Sequence, residues 1–319
     1  MSRANRRALL LHLAVIALLF GLQFVLPAYD HTNMTRIMLL ATYALGYNLL
    51  VGYTGLMSLG HAVFFAAGLY GTGLTIYYGG FDVGAAFAVG LLSGLLLALA
   101  VGLVALRTSG VSFMIVTLMF AQAAFLLILY FNDFTRGDEG FVLDAAARVW
   151  SFGGLLLDLS APTVRYNLAL LLFALCLLAC LVLVRSAVGR VLVAIKENEE
   201  RTMMLGYHSF RYKLLALAFS GAMSGAAGAA YALLFGYVGA TFASIQYSIL
   251  PLLWVLLGGV GTTLGPLLGT ATMFYMVDIS SEYILSYMLA VGVALVLLVL
   301  WFPKGILGTL RERRIPWLP

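Results

Sequence analysis

The sequence predicts an all-α, polytopic membrane protein with about 8–10 transmembrane helices, some of them broken or re-entrant in glycine-rich segments. Of its 319 residues, 63% are hydrophobic and only 10% are charged, against about 25% charged in a typical soluble domain. The mean hydropathy of +1.04 indicates that lipid replaces the missing polar surface. At about 20 residues per span, residues 1–319 accommodate a single transmembrane domain and leave no room for a sizeable soluble one.

Ten apolar segments follow one another along the chain. They cover residues 8–26, 37–52, 56–78, 84–106, 111–131, 165–184, 214–236, 246–260, 263–281 and 284–302. The first follows a basic N-terminus, and we interpret it as a retained span because it is long and no small-residue cleavage site follows it. The shorter segments are candidates for broken or re-entrant helices rather than full crossings.

The distribution of basic residues predicts the orientation. If all ten segments cross and the N-terminus lies inside, fourteen of the 18 lysines and arginines fall at inner ends. The four at outer ends are Arg36, Arg136, Arg148 and Arg165. The positive-inside rule therefore predicts a multi-pass protein with both termini in the cytoplasm. Basic residues placed between apolar runs are not typical of a nucleic-acid-binding surface, so no nucleic acid partner is predicted.

Two polar connections interrupt the apolar pattern. The outer one, about residues 132–164, is rich in Asp and Glu; we expect short interfacial helices and a docking surface there. The inner one, about residues 185–213, is the most polar stretch of the chain. We predict a short amphipathic helix in it, with Glu197 and Arg201 paired one turn apart and Gly206 at the end of the helix.

The second to seventh segments carry no Asp, Glu, Lys or Arg in their interiors, which bears on the driving force. Transporters driven by protons or sodium usually need ionisable groups at this depth, so we expect a partner to supply the energy. In these segments, only His61 can titrate near neutral pH. We favour a hydrogen-bonded packing role for it over a role as a proton relay. Cys176 and Cys180 lie four residues apart in an apolar run, which favours helix packing over a metal site or a disulfide.

Glycine clusters in the second and third segments and again in the eighth and ninth. Pairs of glycine-interrupted segments in the two halves of a transporter point to a substrate pathway, and close packing explains them equally well. The candidate pathway residues are Asn48, Gly52, Tyr53, Ser58, His61, Gly258, Gly259 and Gly261. Gly221, Gly225 and Gly228 have the spacing of a packing interface, and we assign them no transport role.

Three motifs resemble one family of transport proteins. They are ALGYNLLVGYTGLMSLGHAVFF at residues 44–65, AIKENEERTMMLG at 194–206 followed by RYKLLA at 211–216, and LGGVGTTLGPLLG at 257–269. In this order and at these separations, they resemble the LivM-type permease subunits of branched-chain amino acid ABC importers. The resemblance covers about residues 35–310 and extends to permeases for urea and short-chain amides.

The resemblance implies a subunit of the bacterial inner membrane that pairs with a homologous permease subunit. It also implies two cytoplasmic ATPase subunits and an extracytoplasmic substrate-binding protein. The substrate would be a branched-chain or other hydrophobic amino acid. The residues seated on the ATPase would be Glu197, Asn198, Glu199, Arg201 and Gly206. The chain has no G-x-x-x-x-G-K-[ST] phosphate loop, so we predict a transport subunit, not an enzyme, without a cofactor or metal.

Two alternatives remain open from the sequence. One is a permease for urea or short-chain amides, or a passive facilitator for a small neutral solute. The other is an intramembrane enzyme, for which Ser58 and His61, three residues apart, are the best available pair.

Overall fold

The computed structural model describes residues 3–152, 155–283, 286–302 and 304–313, most of them in helices. The helices are α1 (Arg3–Leu22), α2 (Ala28–Asn48), α3 (Ala62–Tyr77), α4 (Val83–Ala105), α5 (Gly110–Tyr130), α6 (Asn132–Thr135), α7 (Pro162–Arg185), α8 (Ala187–Glu197), α9 (Glu199–Met204), α10 (Ser209–Phe235), α11 (Ile245–Gly258), α12 (Gly265–Tyr283), α13 (Tyr287–Trp301) and α14 (Gly305–Arg313). Each of the ten predicted segments corresponds to one of these helices. The predicted all-α membrane fold is confirmed.

Helix length separates full spans from shorter helices. Within the described ranges, five helices are long and apolar enough to cross a membrane: α2, which a π-helical turn (Leu49–Thr54) extends to 27 residues, α4, α5, α7 and α10. The apolar helices α3 and α11 have only 16 and 14 residues. At 1.5 Å per residue they are about 24 and 21 Å long, less than the roughly 30 Å hydrocarbon core. Neither helix is therefore long enough to cross the hydrocarbon core on its own.

The two short helices begin side by side and lead to opposite ends of the molecule. The N–H of Ala62, the first residue of α3, donates to Oγ of Ser248 in the first turn of α11 (3.0 Å). At the far end of α3, Tyr77 contacts Phe141, with ring centroids 4.9 Å apart. At the far end of α11, the backbone packs against α14. We call the end with α8, α9 and α14 the inner end, and the end with Tyr77 and Phe141 the outer end.

A non-helical stretch explains why α3 is shorter than its apolar segment. The predicted third segment starts at residue 56, whereas the helix starts at Ala62. Gly55 ends the π-helical turn in the left-handed conformation (φ 73°), and the chain from 56 to 60 is extended or bent. This stretch returns the chain from the inner end of α2 to the middle of the bundle.

Small residues let α10 pack closely against its neighbours. A Cβ atom added to Gly221 would lie 2.1 Å from Cβ of Ala98 in α4, and one added to Gly228 would lie 2.0 Å from the backbone oxygen of Phe65 in α3. The packing role predicted for Gly221, Gly225 and Gly228 is confirmed. Helix α2 lies against α10 and is almost wholly enclosed, whereas α5 is mostly exposed.

The outer connection contains strands that the sequence did not predict. After the short helix α6, β1 (Phe141–Val142) pairs antiparallel with β4 (Tyr237–Val238), which follows α10. A second antiparallel pair joins β2 (Val149–Phe152) to β3 (Leu155–Asp158). The expected short helices are present as α6 and a 3-10 turn (Ala146–Arg148), and the β1–β4 pair ties this connection to the outer end of α10.

The inner connection is broken into two helices. Asn198 adopts an extended conformation (φ −158°, ψ 103°) between α8 and α9, and its side-chain oxygen accepts the N–H of Arg201 (2.9 Å). This is a helix N-cap, which asparagine favours. The predicted continuous helix with Glu197 and Arg201 paired is therefore wrong, because they lie on different helices. Gly206 (φ 89°) ends α9, as predicted.

Candidate functional site

The predicted pathway residues do not form one site. His61 lies in the middle of the bundle, where α3 and α11 begin. Asn48, Gly52 and Gly261 come together closer to the inner end, with Gly258 and Gly259 in the same turn. We call the first place the central site and the second the inner junction.

The central site surrounds the His61 side chain, which is fully buried. Its Nε2 lies 2.9 Å from Oγ of Ser224 and 3.3 Å from Oγ of Ser220, both on α10. Its ring stacks on Tyr43 of α2 (centroids 5.5 Å apart) and meets the edge of Tyr47 at 5.1 Å. Uncharged polar groups from three helices therefore meet at this depth.

Hydrogen bonding fixes which His61 nitrogen remains unpaired. Ser220 donates its hydroxyl hydrogen to the carbonyl of Gly46 (2.5 Å), so it can only accept from the imidazole. The tautomer that satisfies this contact carries its hydrogen on Nε2, which leaves Nδ1 as an acceptor. Nδ1 of His61 and the hydroxyl of Tyr47 are both buried without a partner. Unpaired buried polar atoms are rare and costly, which marks them as functional candidates.

A column of aromatic rings runs from the central site to the outer end. Neighbouring centroids are 4.7–5.8 Å apart. In order, the rings are His61, Tyr43, Tyr247, Phe242, Tyr231 and Phe235. Sequence reasoning missed this column, because its members come from four separated segments. It also missed Ser220 and Ser224, although two serines one helical turn apart within an apolar span were a usable signal.

The inner junction is organised by Asn48, which is fully buried at the end of α2. Its Oδ1 accepts the N–H of Gly261, and its Nδ2 donates to the carbonyl of Thr262, both at 2.9 Å. Gly261 is in the left-handed conformation (φ 72°), which favours glycine. One amide side chain therefore joins the end of α2 to the turn between α11 and α12.

Two basic residues attach the inner segments to this junction. The amine of Lys196, in α8, donates to the carbonyl of Gly52 in the π-helical turn (2.7 Å). Nη1 of Arg311, in α14, donates to the carbonyl of Gly261 (3.1 Å). Burial of the amine, and next the positive charge of Arg311, lower the pKa of Lys196 below its ordinary value. Lys196 thus links α8 directly to α2.

The remaining pathway candidates take no part in the hydrogen bonds of either place. Tyr53 and Ser58 have other surroundings, and Gly258 is closely packed. Tyr53 packs beside Leu183, and its buried hydroxyl has no partner. Ser58 lies in the stretch before α3, and its Oγ accepts the N–H of Gly60 (3.3 Å). A Cβ atom on Gly258 would lie 1.8 Å from the backbone oxygen of Gly265, so close packing requires glycine there.

The predicted coupling residues have different surroundings. Glu199 binds Lys213 through both carboxylate oxygens (2.6 Å) and accepts the hydroxyl of Ser209, which anchors α9 to α10. Burial acts to raise the pKa of Glu199, but the hydrogen bonds from Lys213 and Ser209 outweigh it and lower that pKa overall. Glu197, Asn198, Arg201 and Gly206 are exposed. Beside them, Met204 and Leu205 are 85% and 72% exposed.

A bundle of apolar helices around an enclosed, uncharged polar centre defines this protein as a multi-pass membrane permease. The family model described as "Branched-chain amino acid transport system / permease component" matches residues 32–302. The chain belongs to this family of inner-membrane transport components, and the resemblance seen in the three sequence motifs is confirmed.

Two curated relatives align with nearly the whole chain. The "High-affinity branched-chain amino acid transport system permease protein LivM" of Escherichia coli (strain K12) is 28% identical over 330 positions, which cover 98% of this chain and 77% of the relative. The protein of the same name from Salmonella typhimurium (strain LT2) is 29% identical over 333 positions, with the same coverage. No solved structure matches the chain significantly.

Proposed function

We propose that this chain is the permease subunit of an ATP-driven importer of branched-chain amino acids. It forms the pathway with a homologous permease subunit, receives substrate from an extracytoplasmic binding protein and is driven by two cytoplasmic ATPase subunits. Both termini lie in the cytoplasm. The observation that carries the proposal is the uncharged central site at the meeting of α3 and α11, in a chain that belongs to the permease family.

The central site is suited to the transient binding of a zwitterion. Nδ1 of His61 accepts a hydrogen from the substrate ammonium group, and the Tyr47 hydroxyl donates to its carboxylate. The surrounding rings accommodate an aliphatic side chain. His61 is fully buried, so a substrate reaches it only after α2 and α10 move apart. Such a closed centre supports alternating access, with the binding protein supplying most of the selectivity.

The inner junction is the exit gate in this proposal. Asn48 holds the turn that contains Gly258, Gly259 and Gly261 against Gly52, and these backbones separate to release the substrate inward. Tyr53 and Ser58 lie close by in sequence, in the connection between α2 and α3 that also contains Gly52. Polar backbone at membrane depth is tolerated where it lines a water-filled cavity, which favours a gate here.

The inner connection couples the ATPase to these movements. Met204 and Leu205 project from a segment that also carries Glu200 and Arg201, and exposed apolar side chains with a charged rim are typical of a protein contact. Glu197, Asn198, Arg201 and Gly206 surround this contact, while Glu199 fixes α9 to α10. Lys196 then passes movement of α8 to Gly52 and α2.

Reconstitution tests the proposal. The chain, its permease partner and its ATPase subunits are placed in proteoliposomes with ATP inside and loaded binding protein outside. We expect leucine, isoleucine and valine to accumulate only with ATP. Ser224→Ala should slow uptake about fivefold, from the loss of one buried hydrogen bond near 1 kcal/mol. Ser93→Ala is the matched control, because its hydroxyl bonds only within α4.

Two outcomes would contradict the proposal. Accumulation of urea or a short-chain amide in place of leucine would change the substrate class. Concentration of leucine by the chain alone, driven by a proton or sodium gradient, would remove the need for ATPase subunits.

A further inference from the structure

Three of the four outer arginines lie around the outer end of α10, and two of them contact one aromatic ring. The guanidinium carbons of Arg36, from α2, and Arg165, from α7, lie 5.0 and 5.5 Å from the centroid of the Phe235 ring at the end of α10. Arg148 packs against Gly236, the residue after Phe235: a Cβ atom added to Gly236 would lie 2.9 Å from Cζ of Arg148. We call Arg36, Arg148 and Arg165 the outer arginine cluster.

The cluster has no carboxylate partner among the described residues. Within those ranges, the ion pairs are Lys213–Glu199 and Lys304–Glu312, both at the inner end. Asp30, on the same helix as Arg36, instead accepts the Tyr275 hydroxyl at 3.2 Å.

Like charges are therefore brought together here, since Arg36 and Arg148 both lie within electrostatic range of Arg165. No carboxylate is paired with them in the described ranges. Nε of Arg148 is buried without an acceptor. Cations brought together in this way without carboxylates favour the binding of an anion, and the planar fork of arginine matches a carboxylate.

The location of the cluster narrows the choice of anion. Phe235 is the outermost ring of the aromatic column, so the cluster lies at the outer end of the column. Arg36 is exposed, whereas Arg148, Arg165 and Phe235 are half-buried. A site that combines guanidinium groups with a partly enclosed ring suits a small molecule with a carboxylate and an apolar side chain.

We propose that the outer arginine cluster binds the carboxylate of the incoming amino acid, with the apolar side chain against Phe235, before the substrate moves along the aromatic column to His61. This proposal rests on the proposed function. The guanidinium contacts with Phe235 hold the two arginines in place while the site is empty of substrate.

The test compares four single variants of the reconstituted complex. Arg36→Gln, Arg148→Gln and Arg165→Gln each remove one member of the cluster, and Arg136→Gln, the fourth outer arginine, is the matched control. Uptake of labelled leucine is measured with saturating loaded binding protein. We expect each cluster variant to import about tenfold more slowly, as for the loss of one charge-assisted hydrogen bond. Lysine replacements should recover part of the rate, and Arg136→Gln should match the wild type.

Two further measurements test whether the cluster binds the substrate or instead binds acidic groups of the binding protein or of lipids. The affinity of loaded binding protein for the complex should stay unchanged in the cluster variants; a parallel loss would make the cluster a protein-docking surface and overturn the proposal. The defect should persist in liposomes without anionic lipid; its disappearance there would assign the cluster to lipid headgroups. Arg36 is exposed, so its variant provides the test even if the half-buried ones do not fold.

The wild-type complex separates the two proposals. If it fails to import leucine, the proposed function is wrong. If it imports leucine and all three cluster variants behave like Arg136→Gln, the function stands and the assignment of the cluster is wrong.

Discussion

Replacing Asn48 by alanine should destabilise the protein strongly, although no charge and little volume are lost. The change removes the partners of two buried backbone groups, the N–H of Gly261 and the C=O of Thr262, each bonded at 2.9 Å. A buried polar group left unsatisfied costs about 1–3 kcal/mol. For two groups the expected loss in the free energy of unfolding is therefore about 2–6 kcal/mol.

Thermal unfolding of the purified protein in detergent measures this loss. Asn167→Ala is the matched control: Nδ2 of Asn167 also makes two hydrogen bonds, to Gln23 at 3.0 Å and to Thr163 at 2.8 Å, but in more exposed surroundings. Water replaces those bonds, so the control should lose under about 1 kcal/mol. Equal melting of Asn48→Ala and the wild type would refute the reasoning, because it would mean that the turn does not depend on the Asn48 amide.

Three further predictions concern the inner segments and the packing of α10. Lys196→Met should leave ATP hydrolysis by the reconstituted complex intact while leucine import falls several-fold, and Lys196→Arg should recover part of the import; a proportional loss of both activities would contradict a linking role. Folding lowers the pKa of Glu199 below its ordinary value of 4.5. The Glu199 carboxylate therefore stabilises the fold fully above pH 4.5, and this stabilisation is lost as the pH falls through the lower pKa of the folded state. Melting curves of Glu199→Gln should lose this acid dependence, and those of Glu200→Gln should keep it. Gly228→Ala should lower the melting temperature because its Cβ would lie 2.0 Å from a backbone oxygen of α3, whereas Gly21→Ala, with nothing within 4 Å, should not.

The sequence predicts the helices well because lipid imposes a simple rule on them. A run of apolar residues long enough to cross must be helical, since its backbone groups need internal partners. The rule is weaker where the chain folds back inside the protein. Residues 56–60 are nearly as apolar as the helices around them, yet they are not helical. Side chains provide partners for their backbone there: the N–H of Leu59 donates to the buried hydroxyl of Thr117 (3.2 Å), and that of Gly60 donates to Oγ of Ser58 (3.3 Å).

The sites were predicted less completely, because each is built from distant parts of the chain. His61 was identified from its polarity alone, but its partner Ser224 lies 163 residues away. Asn48 and Gly261 were both candidates, and only the fold shows that they bond to each other across 213 residues. The outer arginines were recognised only as residues at outer ends, because the three segments that carry Arg36, Arg148 and Arg165 meet only in the fold, around the end of α10.

Helix α2 connects all three places. It carries Arg36 at the outer end, Tyr43 and Tyr47 at the central site and Asn48 at the inner junction, and it continues into the turn that Lys196 holds. From the held carbonyl of Gly52 to Tyr47 is about one and a half helical turns. In the proposed function, we therefore expect a displacement of α8 to reach the His61 contacts through one short, continuous piece of backbone. We expect the same displacement to strain the Asn48 bonds, so that the inner junction opens when the central contacts change.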